Sequence, residues 1–586
     1  MNPTEQQPSA VLARAKFPIA LPSLIRDLPI IFAAFALFYA LLSVTHYWVA
    51  PVGTRTEIQL SIGALPRYAM FSLLRIVIAY VISLIFTLAY GYVAAYNARA
   101  ERFMLPLLDT LQSIPVLSFL PGVMLAMVAL FPTRNFGIEL GSILLIFTGM
   151  VWNMTFSFYS SLKAIPREMR EVAEIYRWSW WQRFVQMELP FSVIGLVWNS
   201  MMSVAGGWFF LMACEMFILG DRDLRLPGLG SYLQTAADAG NGAAISWGLI
   251  TMILIIVTTD QLIWRPLIAW SDKFKFEQVE SSKRITSPIL HLINHSNALA
   301  SLSRHTLTPL TEGLYPRLAA RRLAKLRQLA IVKPASRVRV IGFRIVVLTI
   351  VTCTVLYAAF QAVDLLRPLP GAEYLHILKG AAATFLRVNL SLVLASAWTI
   401  PVGVAIGSNP RLARLAQPLA QIAASVPATA LFPVLLLALV RVGGGMGIGS
   451  IALMLLGTQW YILFNVIAGA IAIPSDLKEV ATLFHFNTVQ RWKTVILPSI
   501  FPFLITGLVT ASGGAWNASI IAEYFPIKGQ ILQTVGLGAI INEATGGGRF
   551  PVLLLATIVM SLMVVTTNRL VWRPLFRLAE TRYKLG

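Results

Sequence analysis

The segment PREMREVAEIYRWSWWQRFVQMELP, residues 166–190, returns as PSDLKEVATLFHFNTVQRWKTVILP, residues 474–498. Both open on Pro, carry Glu-Val-Ala at Glu171-Val172-Ala173 and Glu479-Val480-Ala481, and close on Leu189-Pro190 and Leu497-Pro498. The same offset of 308 residues carries Gly141-Ser142 onto Gly449-Ser450, Trp152 onto Trp460, Glu215 onto Glu523, Gly228 and Gly230 onto Gly536 and Gly538, and Trp264-Arg265-Pro266-Leu267 onto Trp572-Arg573-Pro574-Leu575. Further upstream the offset is 312, as in Leu74-Arg75 with Leu386-Arg387, Pro115 with Pro427 and Pro121 with Pro433. A register held this long marks an internal duplication. The four-residue slip falls around 131–136, and insertions collect in loops, so a loop between helices is expected there.

The medium follows from composition. Of 586 residues, 57% are hydrophobic and 12% charged, and the mean hydropathy is +0.71. A chain of this size cannot hide so much apolar surface from water, whereas lipid accepts helices of about 20 apolar residues. The charge of +21 is spread over short connections and one long linker. That is the cytoplasmic bias of membrane proteins and not a nucleic-acid footprint. Cys214 and Cys353 each sit alone in an apolar run and read as small buried hydrophobes. The six histidines show no metal-ligand spacing.

Each half accommodates six helices. They are expected near 28–50, 66–94, 103–131, 138–165, 190–219 and 244–268, then near 340–364, 378–406, 412–440, 447–473, 498–523 and 551–571. The fold class is therefore an all-α integral membrane protein with about 12 spans. It divides into a first repeat (1–270), a basic linker (271–338) and a second repeat (339–586). The first helix reads as an uncleaved signal anchor. Six spans per half keep both repeats in one orientation, related by an axis along the membrane normal. Lys163, Arg167, Arg170, Arg177 and Arg183 fall on the same side as the linker, which places that side and both termini in the cytoplasm.

The paired segments 166–190 and 474–498 resemble the EAA loop of ATP-binding-cassette importer permeases, and the remainder of each half is similar to the nitrate, sulfonate, taurine and bicarbonate branch of that family. Ser113-Ile114-Pro115, Ser425-Val426-Pro427, Glu215, Glu523 and the Gly-Leu-Gly turns at 228–230 and 536–538 support the likeness. The resemblance implies a type I importer permease fold and a short coupling helix in each half that docks on an ATPase. Its docking residues would be Glu171, Ala173, Tyr176, Arg177, Leu189 and Pro190, and Glu479, Ala481, Phe484, His485, Leu497 and Pro498. Small Ala173 and Ala481 would permit close packing on the partner, Glu171 and Glu479 would meet its basic groups, and Pro190 and Pro498 would open the next membrane helix. The family's glycine, six residues after Glu, is replaced by Arg177 and His485, where glycine would ease a tight turn.

No Gly-x-x-x-x-Gly-Lys-Ser/Thr pattern occurs in the chain. The resemblance therefore implies two separate ATPase domains carrying ATP and Mg, no cofactor and no catalysis in this chain, and a periplasmic or lipid-anchored binding protein that delivers a small anion. Membrane lipid is the remaining partner, in a bacterial inner membrane. An ion-gradient-driven carrier of two six-helix halves also fits the helix count, but it leaves the paired segments unexplained. A membrane scaffold whose basic linker recruits partners is a third reading.

Glu215 and Glu523 stand in apolar surroundings, where a carboxylate must face water, pair or protonate. They read either as translocation-path residues or as hydrogen-bonding links between helices. Trp208 and Trp516, beside small residues, either line the path or pack. Arg75 and Arg387 can attract an anion at the outer mouth, although snorkelling to headgroups is the plainer reading. Arg222, Asp223 and Arg225 lack a counterpart cluster and would seat the binding protein asymmetrically. Trp178, Trp180 and Trp181 read as interfacial anchors.

Overall fold

Apolar runs set the helices of this chain, and prolines set where they bend. The structure is a computed structural model and describes residues 57–219, 222–274, 337–441, 445–527 and 530–582. The first half comprises α1 (Leu65–Tyr96), α2 (Ala98–Ser113), α3 (Leu120–Leu130), α4 (Phe136–Ala164), α5 (Arg167–Ile175), α6 (Trp180–Glu215), α7 (Leu229–Asp238) and α8 (Gly242–Ser271). A hairpin of β1 (Ile218–Leu219) and β2 (Arg222–Asp223) separates α6 from α7. In the second half α9 (Arg337–Leu366) precedes α10 (Gly371–Ser408), α11 (Pro410–Ser425), α12 (Ala428–Arg441), α13 (Met446–Ile471), α14 (Ser475–Leu483), α15 (Thr488–Ala522), α16 (Leu537–Gly546) and α17 (Phe550–Ala579). Strands β3 (Tyr524–Ile527) and β4 (Gln530–Gln533) form the matching hairpin. Every element from α1 to α8 has its repeat nine labels later.

Among the described residues, eight helices are long and apolar enough to cross a bilayer. The expected span at 28–50 lies outside the described residues, as does nearly all of the linker. In α9 only a shorter apolar stretch, Thr352–Leu366, is found.

The span expected at 103–131 is not one helix. α2 and the segment leading into α3 meet at 82°, and the break falls at Ile114-Pro115, where Ile114 is extended with ψ 126. Proline's ring disfavours the helical conformation at the residue before it. The repeat breaks at the same place: Val426, before Pro427, has ψ 117 and separates α11 from α12. The slip between the two offsets does fall in a loop, between α3 and α4.

A second correction concerns Pro190 and Pro498. They do not open their membrane helices, because α6 and α15 begin earlier, at Trp180 and Thr488. Each proline instead follows a widened π turn, Phe184–Glu188 or Trp492–Ile496. Pro266 and Pro574 follow similar turns at Asp260–Trp264 and Asn568–Trp572. A proline inside a helix clashes with the carbonyl four residues back and cannot donate to it. One π turn opens the helix locally and absorbs both defects.

The core of each half is a three-helix contact, α1 with α4 and α6, and α10 with α13 and α15. Met150, Met154 and Phe158 of α4 are fully buried there, as are Leu453, Met454 and Ile462 of α13. The halves meet through repeat-related contacts, α2 on α17 and α8 on α11. Asp109 and Arg573 form an ion pair across this seam. Cys214 is buried and Cys353 is exposed, both as free thiols, so only Cys214 is the buried hydrophobe expected.

Candidate functional site

Two places collect the singled-out residues. The first is the pair of short transverse helices, α5 and α14. Each begins after a proline, Pro166 or Pro474, and ends in a residue with left-handed backbone. Arg177 has φ 49 and His485 φ 50, and among the described residues no other non-glycine has positive φ. The turn that glycine would ease is thus kept without glycine. Its hydrogen bonds close a Schellman motif: the Trp178 N–H donates to Ala173 O at 2.9 Å and the Arg177 N–H to Glu174 O at 2.9 Å. In the repeat the Phe486 N–H donates to Ala481 O at 3.0 Å and the His485 N–H to Thr482 O at 3.1 Å. That pairing also draws the residue after the turn onto the helix's inner face.

Ala173 and Ala481 therefore do not face a partner. They are 3% and 2% exposed and pack inward, Ala173 with Phe158, Leu162 and Met187. The outward surface is made of Glu171, Glu479, Arg177 and His485, all exposed, and of a protruding apolar tip. Ile175 and Tyr176 are 76% and 72% exposed, and Leu483 and Phe484 75% and 67%. Leu189 and Pro190 lie partly buried beneath, as does Pro498, with Leu497 more open. Each helix is held from behind by its buried alanine, and its tip is exposed.

The two copies are anchored differently. Glu188, buried below the first segment, takes the Tyr96 hydroxyl at 2.6 Å and pairs with Arg183 at 2.7 Å. Its repeat position is Ile496. Trp178 packs on the apolar cluster that holds Ala173 and Met187, while Trp180 and Trp181 are exposed as interfacial anchors would be.

The second place is the end of α6 and of α15. Glu215 is fully buried and caps α7: Oε2 accepts the Gly230 N–H at 2.7 Å. Oε1 accepts from Ser72 Oγ at 2.7 Å, and Ser72 in turn accepts the Leu229 N–H at 3.0 Å. Glu523 repeats the pattern on α16, with Gly538 N at 2.8 Å, Thr384 Oγ1 at 2.8 Å and Leu537 N on Thr384 at 2.8 Å. A carboxylate at a helix N-terminus meets unsatisfied N–H groups and the positive end of the dipole. Gly228 and Gly536 are required by this approach, since a Cβ there would lie 2.2 and 2.1 Å from the Glu215 and Glu523 carboxyl groups.

Arg75 and Arg387 complete these caps, and neither snorkels. Arg75 is 2% exposed, pairs with Glu215 at 2.7 Å and forks onto Glu139 at 2.6 and 2.7 Å. Arg387, 15% exposed, holds Glu523 at 3.0 Å. Glu139 was not singled out from sequence. Its only signal was a carboxylate near the start of an apolar helix, without a repeat counterpart, since the matching residue is Gly447. The geometry of Glu215 and Glu523 is that of the helix-linking reading. Trp208 and Trp516 are 2% and 1% exposed, and Trp516 borders a cavity between the halves. Arg225 donates to Thr235 Oγ1 at 3.0 Å.

Comparison with known proteins bears on both halves. Residues 87–260 and 399–571 each match the family described as the binding-protein-dependent transport system inner membrane component. The nitrate import permease protein NrtB of Leptolyngbya laminosa is 28% identical over 190 residues, 32% of this chain and 64% of that protein. The bicarbonate transport system permease protein CmpB of Synechococcus elongatus is 28% identical over 189 residues, 32% of this chain and 65% of its own length. The taurine transport system permease protein TauC of Escherichia coli is 28% identical over 166 residues, 28% of this chain and 56% of its own. Each alignment spans less than two thirds of the relative.

Proposed function

Because the chain belongs to the family of binding-protein-dependent transport system inner membrane components, and carries that domain twice, we propose that it is the complete membrane path of an ATP-binding-cassette importer. The fused halves would replace a permease dimer. Two ATPase domains, each binding ATP and Mg, would dock beneath α5 and α14. A periplasmic or lipid-anchored binding protein would deliver the solute to the opposite face. The names of the relatives support a small anion such as nitrate, bicarbonate or a sulfonate. The membrane is then the bacterial inner membrane, with both termini and the linker 271–338 in the cytoplasm and the repeats bounded at 1–270 and 339–586.

The observation that carries this reading is the exposed tip of each transverse helix. Four large side chains, Ile175, Tyr176, Leu483 and Phe484, stand free at matching positions, each beside a strained turn and an exposed glutamate. An ordinary surface helix gains nothing from such a tip, whereas a socket on a partner does.

The test is capture of the ATPase by the tagged chain in detergent. Glu171→Lys and Glu479→Lys should each weaken capture and uncouple ATP hydrolysis from uptake, and the double variant should abolish it. Undiminished capture in all three would remove α5 and α14 from the docking role. Uptake that needs ATP and persists with an uncoupler would exclude the ion-gradient carrier.

A further inference from the structure

The two seams between the halves use equivalent helices but not equivalent chemistry. At the first, α2 and the turn that follows it lie against α15 and α17. Polar links join the halves there. Asp109 of α2 pairs with Arg573 of α17. Asn517 Oδ1 accepts the Leu117 N–H, and the Thr557 hydroxyl donates to Ser118 O, both at 3.4 Å. These two hydrogen bonds are long, so the ion pair carries most of the hold and they add direction.

The second seam sets α11 and α12 against α8 and α6. The side chains at its repeat positions cannot form the same hydrogen bonds. Asn517 corresponds to Phe209 and Thr557 to Leu249, both packed on the apolar core. Ser203 of α6 and Thr429 of α12 bring buried hydroxyls to the helices that meet there, yet neither hydroxyl has a hydrogen-bond partner. The ion pair is redirected. Arg265, the counterpart of Arg573, takes Asp260 of its own helix at 3.3 Å, and Gln421 stands where Asp109 would be. Asp260 corresponds in turn to Asn568. The halves have thus exchanged an acid in opposite directions, and each arginine has an aspartate. Charge balance accounts for the aspartates, but not for one lying across a seam and the other within a helix.

We propose that the seams are mechanically unequal: α2–α17 is a pivot that keeps its register, and α8–α11 is a slip face along which the halves move. Ion pairs and hydrogen bonds have a preferred geometry and resist sliding. Apolar contact is non-directional and yields to shear. Asp109 and Arg573 are positioning residues of the pivot. That the halves move rests on the importer reading; that their seams differ does not. Two identical chains would meet through two identical seams, so this division requires halves that differ.

The test is double electron–electron resonance on the full chain in lipid nanodiscs, with Cys214→Ala and Cys353→Ala as background. Spin labels at Leu107→Cys and Leu570→Cys span the first seam, and labels at Leu419→Cys and Leu262→Cys span the second. These are repeat positions, and all four side chains are exposed. The distance distribution across the second seam should be about twice as wide as that across the first, since a half-exposed ion pair is modest in strength. Asp109→Asn should widen the first and leave the second unchanged. The exchange variant Asp109→Gln, Asn568→Asp, Gln421→Asp and Asp260→Asn should widen the first and narrow the second. Equal widths in the parent chain, or widths that ignore Asp109→Asn, would overturn the proposal, and Asp109→Asn alone decides if the exchange variant does not fold. With the ATPase bound, ATP should shift the second distance more than the first. Unequal seams that ignore ATP would keep the difference between them and remove the importer reading, while ATP-driven shifts of equal size at both seams would do the reverse.

Discussion

At the scale of single residues, the chain keeps strain and buried charge where each has a structural return. Arg177 and His485 hold a left-handed conformation that costs an L-residue about 1–2 kcal/mol, and they hold it in both copies. Glycine would relieve the strain, so Arg177→Gly and His485→Gly should each slow exchange of the Trp178 or Phe486 amide by roughly fivefold, for about 1 kcal/mol. Hydrogen exchange read by mass spectrometry checks this. ATPase capture should fall despite the firmer turn if these side chains touch the partner. Buried charge is distributed unequally. Arg75 holds two buried carboxylates, Glu139 and Glu215, whereas Arg387 holds one, which Thr384 and Gly538 also serve. Removing one member of a buried pair costs about 3–5 kcal/mol. Arg75→Leu should therefore lower the aggregation temperature in detergent well below that of Arg387→Leu. Equal losses would show that Glu139 adds no demand on Arg75.

At the scale of elements, the short helices α7 and α16 depend on a carboxylate delivered by the preceding long helix. The dependence is steric as well as electrostatic, because Gly228 and Gly536 leave room for it. Gly228→Ala should displace the Glu215 carboxylate and loosen α7, at about 1–3 kcal/mol. Faster exchange at the Gly230 and Leu229 amides, with α5 unchanged, is the expected signature. The transverse helices work by a similar division. Their alanines point inward and their tips outward, so Ala173→Leu should destabilise the chain through overpacking, not through lost docking. A thermal shift that is the same with and without bound ATPase would distinguish the two. The prolines belong to this scale too. Ile114-Pro115 breaks a helix outright, while Pro190 and Pro266 sit after π turns inside continuous ones. The difference lies in the residue before each proline, extended in the first case and helical in the others.

At the scale of the whole molecule, the halves meet through paired contacts of α2 with α17 and α8 with α11, so the linker is not needed to define the seam. Residues 1–270 and 339–586 produced as two chains should therefore co-purify through a tag on either one, and failure to do so would make the linker part of the fold. Much of this molecule was legible in its sequence. Apolar runs at bilayer length determined the helices, and the register of the repeat determined that there are two equivalent halves and two transverse helices, because both depend only on local composition and spacing. Which side chain meets which was decided by tertiary structure alone. Arg75 reads as an arginine near a helix end until α4 and α6 bring Glu139 and Glu215 against it from 64 and 140 residues away. Ala173 reads as partner-facing until the Schellman turn sets its helix's rotation. Sequence spacing carries the period of an element, but the direction of a side chain is set by the neighbours that exclude it from every other place.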